Sequence, residues 1–161
     1  MGVQFYRGMA PLSIAVAVIM ERRTLANRWQ SESWQPIGVV PDSGNDAPRV
    51  LFEDDACTRI LYPGFAIELH RDEAEGYYLN LSTETPYIFV MWRMEDARAV
   101  PKVVTVSYNE AGRMMDGGEQ VDGVAMPPDL VGWVGEFAST HYKPEPKKRI
   151  RPPSFKGAQR S

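Results

Sequence analysis

Strand-length apolar segments, separated by turn formers, run from Leu12 to Val124, and only after Pro127 does the hydrophobic period lengthen to that of a helix. Sheet first and helix last selects an α+β architecture. Phe65, Ile67 and Leu69 alternate against Ala66, Glu68 and His70, the pattern of a half-buried strand. Further strands are expected over 12–21, 34–40, 49–52, 77–82, 87–92, 104–108 and 120–124. The run 87–92 is apolar throughout and fits a central strand. Asp72 to Gly76 and Asn109 to Gly112 look like hairpin loops, and Gly117-Gly118 like a further turn. Pro127-Pro128-Asp129 starts a helix over about 129–142, with Leu130, Trp133, Val134, Phe137 and His141 in one stripe.

The expected fold is α+β: a mostly antiparallel, strongly bent sheet or partly open barrel, with one C-terminal amphipathic helix. The element order is pleckstrin-homology-like; a β-sandwich with an added helix is the alternative. One domain over 1–142 is expected, since 161 residues suit a single core. Cys57 is the only cysteine, so no intramolecular disulfide forms and a reducing cytoplasm is the natural compartment. With two histidines, His70 and His141, the chain lacks the ligands of a zinc cage, and neither metal nor cofactor is expected. The apolar run 10–20 is too short to span a bilayer and its β-branched residues suit a strand better than an export signal.

Charge divides the chain. Residues 143–161 hold seven basic residues against one acidic, a net of +6, whereas residues 1–142 carry −9. Four prolines in this tail favour an extended segment when free. Lys147, Lys148, Arg149 and Arg151 with the apolar anchor Phe155 suit docking to a protein partner. An inert or self-docked tail is the bland alternative. Phosphate or lipid contact is a third, but the acidic body argues against nucleic acid.

Arg22, Arg23, Arg28, Trp29 and Trp34 form a second candidate site, in which guanidinium groups beside indole rings would clamp or stack on a small anionic ligand. The alternative is a solvated turn with tryptophans capping the core. Glu53-Asp54-Asp55 lacks the alternating spacing of a calcium loop and suits a solvated turn. No base accompanies Cys57 in sequence, and neither His70 nor His141 forms part of a triad, so no catalytic residue is assigned.

Two segments together, Val18 to Pro41 and His141 to Phe155, resemble an uncharacterised proteobacterial family, domain of unknown function three-three-zero-five. Genes of that family tend to lie beside those for molybdenum- or tungsten-dependent formate dehydrogenase. The resemblance implies a non-enzymatic accessory protein supporting that enzyme's assembly or maturation, with formate dehydrogenase or a maturation factor as partner. It supplies no catalytic residues.

Overall fold

The computed structural model describes residues 12–42, 44 and 47–143. Its strands lie in two antiparallel sheets. The first has the order β2-β1-β4-β3, from β1 (Ser13–Thr24), β2 (Glu32–Pro41), β3 (Arg49–Glu53) and β4 (Cys57–Glu68). The second has the order β6-β5-β7, from β5 (Tyr87–Glu95), β6 (Arg98–Thr105) and β7 (Gln120–Ala125). Three helices occur among the described residues: α1 (Ala74–Leu81), α2 (Tyr108–Asp116) and α3 (Pro128–His141). The α+β class with a C-terminal helix holds. β4 neighbours β6 and β2 neighbours β7, but no closed barrel forms.

Strand alternation builds the core. Val16, Val18 and Met20 of β1 point inward, as do Ile60 and Tyr62 of β4. Opposite Val16 and Val18 stand Phe65 and Tyr62, so β4 gains one residue at Pro63-Gly64. Gly64 takes a positive φ of 95° there, open to glycine without strain. The bulge reverses the parity of β4, and Ile67 becomes the inward residue after it. From the second sheet Ile88, Val90 and Trp92 meet the same core. Phe89 and Met91 on the opposite face of β5 are buried too, as a central strand requires, and α2 lies against β5 and β7.

The expected C-terminal helix is present. Trp133, Val134 and Ala138 are buried, and Leu130 and Phe137 pack against the core at its edge. Phe137 meets the ring of Tyr77 on α1 edge to face, 5.8 Å between centroids.

Two expectations are corrected. Residues 77–82 are not a strand: 77–81 belong to α1 and Ser82 is its C-cap, and a 3-10 turn at Arg71–Glu73 precedes the helix where a hairpin loop was expected. Ala74, Tyr77, Asn80 and Leu81 turn toward the interior at helical spacing, and over so few residues the two periods fit equally well. Gly76 marks close packing rather than a turn. It abuts Ser107 and the Asn109 backbone. The segment 109–112 likewise lies in α2, not in a hairpin. Ser107 caps that helix, its Oγ accepting from the Glu110 N–H at 3.0 Å. Ser107 with Glu110 three residues on is the sequence signature of a helix start. The fold therefore has three helices among the described residues, not one.

A hairpin at Asp96-Ala97 joins β5 to β6, both residues having positive φ, 53° and 67°. Without the usual glycine the sequence gives little sign of it.

Candidate functional site: a tryptophan-lined groove

Between β1 and β2 the chain makes a loop closed by the Leu25 N–H donating to Ser31 O at 2.9 Å. Inside it the Asn27 side chain accepts from the Trp29 N–H at 2.7 Å, a local turn that asparagine favours. Trp29 is thrown outward and is 84% exposed. The Arg28 guanidinium lies over its ring, 5.3 Å from the centroid.

Trp29 forms one wall of an open groove of about 590 Å³, at the end of the molecule where β2 passes β7. Trp34 of β2, Trp92 and Met94 of β5, and Gln120 of β7 line it further, with the polar chain Gln30 to Ser33. Two indoles are fixed by hydrogen bonds: Trp34 Nε1 donates to Glu32 Oε2 at 3.2 Å and Trp92 Nε1 to Asp122 Oδ2 at 2.8 Å. Gln120 Nε2 donates to the same Asp122 oxygen at 3.2 Å. The result is an indole-rich surface that is about half polar, with amide, hydroxyl and carboxylate groups along it.

The five candidate ligand-binding residues separate. Trp29 and Trp34 share the groove, and Arg28 stands over Trp29. Arg22 lies beneath, opposite Trp34 in the ladder. Its guanidinium donates to Thr58 Oγ1 at 3.2 and 3.1 Å and to Thr24 Oγ1 at 2.9 Å, and lies 3.8 Å from Glu32 Oε1. Arg23, one residue on, points to the other face of the strand, as alternation demands. There it donates to Glu21 Oε1 at 3.1 Å. Trp92, Met94 and Gln120 were not foreseen, because Trp92 ends an unbroken apolar run that reads entirely as core.

Glu21 is buried on that outer face. Arg59 Nε donates to its Oε2 at 3.0 Å, and the Cys57 thiol lies 3.6 Å from the same oxygen. Burial pushes the carboxyl up, but the hydrogen bonds from Arg59 and Arg23 outweigh it and hold the group below its ordinary value.

A second depression, of about 610 Å³, is lined by Glu68, His70, Asp72, Glu73, Lys102 and Glu110 among others. Two of its carboxylates have internal partners. Glu73 accepts from Ser107 Oγ and Arg113 Nη2, and Glu110 from Thr105 Oγ1. His70 Nε2 is 3.5 Å from Glu68, and His141 stacks 4.4 Å from the Phe137 ring. Among the described residues no group of three His, Cys, Asp or Glu is placed to hold a metal ion, and no helix is long and apolar enough to cross a membrane. Lys147, Lys148, Arg149, Arg151 and Phe155 lie outside the described residues.

The model of a family described as a protein of unknown function (DUF3305) matches residues 15–151. No curated protein and no solved structure matches the chain.

Proposed function

The chain belongs to this family of unknown function, and from that premise we propose that it is a non-enzymatic accessory protein. In this proposal it docks an extended segment of a protein partner in the Trp29–Trp34–Trp92 groove, with the basic segment 143–161 as a second contact. The groove carries the proposal. Sites for small molecules enclose most of their ligand, whereas this one is open and aromatic, the form that receives an extended, proline-bearing peptide. The partner named by the resemblance is formate dehydrogenase or one of its maturation factors, in the cytoplasm; that link rests on the resemblance alone.

Immobilised formate dehydrogenase and its maturation factors, probed with the purified full chain, test the proposal. Trp29→Ala should weaken binding by at least tenfold, because exposed aromatic anchors dominate such contacts at about 2 kcal/mol or more each. Equal affinity for the variant would remove the groove from the interface. A second proposal, a small anionic ligand held by segment 22–34, draws support from Arg28 over Trp29, a pair able to stack on a planar anion. Quenching of tryptophan fluorescence by a pterin, lost in Arg28→Ala, would favour it.

A further inference from the structure

α1 and α3 pack side by side, and their contacts fix their directions. Leu81 stands beside Gly135, its Cδ1 3.6 Å from where a Cβ would lie. Tyr77 meets Phe137, 5.8 Å between centroids, and Tyr78 meets Tyr142 at 4.9 Å. Residues late in α1 face residues early in this stretch of α3, so the helices run antiparallel. The chain therefore leaves α3 toward the start of α1. It leaves extended, Tyr142 having φ −115° and ψ 117°. Next on this course is the exposed side of α1, where Glu75 lies one turn before Tyr78. Beyond it are the 3-10 turn Arg71–Glu73 and the depression of about 610 Å³. The His70 N–H, donating to Tyr77 Oη at 2.9 Å, holds that depression beside α1.

This surface is short of cations. Glu73 is matched by Arg113, and Lys102 by Glu95. Among the described residues Glu68 has only His70 as an ion-pair partner, and Asp72, Glu75 and Glu110 have none. Four carboxylates against one unmatched cation, Arg71, leave a net −3. The segment that follows Tyr142 has the opposite sign. Residues 143–151 hold five basic residues and one acidic, a net of +4. Its reach is sufficient. At ~3.3 Å per extended residue, Lys147 can stand up to ~17 Å beyond Tyr142, whereas Tyr78 and Ala74 are separated by only ~6 Å of helix.

We propose that in the free protein residues 147–151 of this same chain lie along the start of α1 and over the depression beside it, held by ion pairs with Glu75, Asp72 and Glu68. The chain's own segment is the occupant because it leaves α3 aimed at this surface and tethered next to it. A short tether of this kind gives an effective concentration on the order of millimolar. Exposed ion pairs each contribute little, so docking is sensitive to salt and leaves folding stability nearly unchanged. The docked run is the one offered to a partner in the proposal above, so a partner must displace it, and its affinity falls with the fraction of chains left undocked. That consequence rests on the proposed partner role; the docking does not.

Nuclear relaxation of the ¹⁵N-labelled full chain, with no partner present, tests this, amide dispersion confirming the fold of each variant. In ~20 mM salt the heteronuclear NOE of residues 147–151 should stand well above the near-zero or negative values of a free peptide, because docking damps picosecond–nanosecond motion. It should fall to the free-peptide level in ~0.5 M salt. Lys147→Glu with Lys148→Glu and Arg149→Glu should bring it to that level in low salt, and so should Asp72→Lys with Glu75→Lys. Combining both sets should restore it, since opposite charges then face each other again. Free-peptide values in the wild type at low salt overturn the proposal. So does either set alone that keeps the raised value, or a combined chain that does not regain it. A raised value that appears only as protein concentration increases places the segment on a second copy and overturns it too. None of these outcomes bears on binding of a partner.

Discussion

Gly76 of α1 lies against Ser107, the cap of α2, with no space for a Cβ between them. Ser107 is held on both sides, accepting from the Glu110 N–H and donating to Glu73. The two helices therefore approach at one fixed point. Gly76→Ala adds a methyl that must displace the cap. Overpacking of this kind costs about 1–3 kcal/mol, more than the ~0.5–1 kcal/mol alanine gains in a helix. Urea denaturation should show a net loss. Ser107→Ala alone should cost about 1 kcal/mol as a lost cap. The double variant should lose less than the sum, since the closest obstacle is gone.

Trp133 is among the largest fully buried side chains and anchors α3 to the shared core. Trp133→Ala should cost about 3–5 kcal/mol, the range for large aromatic truncations. A loss below about 1 kcal/mol in the same denaturation experiment would mean that α3 contributes little to the fold.

Much of this architecture is legible in the residues, and the exceptions have physical causes. The strand at 87–92 stands out as an unbroken apolar run, and the helix near 129–142 because its period is sustained over the 14 residues of α3. α1 and α2 are short. Tyr77 to Ser82 fits period two as well as period 3.6, and Gly76 and Gly112 look like turns when isolated from tertiary context. The Ser107–Glu110 pair carries the signature of a helix start, but the alternation of Val104, Val106 and Tyr108 reads across it as a strand. Half of the groove was also visible, as Trp29 and Trp34. Trp92 was hidden by its apolar run, and only the pairing of β5 with β7 brings it beside Gln120. The clustering of Arg22 with Arg23 fails on strand geometry alone: neighbours in a strand face opposite ways.

Glu21 sets a pH dependence. Its carboxyl is held below its ordinary value of 4.5, burial opposing and the Arg59 and Arg23 hydrogen bonds prevailing. A depressed folded-state value gives stability that is present above the unfolded value and lost as pH falls through the folded one. The difference in unfolding free energy between the wild type and Glu21→Gln should be constant from about pH 7 to 5 and shrink below 4.5. A difference that stays level to about pH 3 would show that the carboxylate's charge contributes nothing there.

The central claim is that one aromatic groove and one basic segment together hold a protein partner. Quantitative capture tests it most directly. The full chain, Trp29→Ala and a chain lacking residues 143–161 serve as baits in host lysate, with recovered proteins compared by mass spectrometry. Melting temperatures should match across the three baits, since Trp29 is exposed and α3 completes the core before residue 143. The account predicts one partner set recovered by the full chain and reduced at least tenfold with each altered bait. Undiminished recovery by both would contradict it.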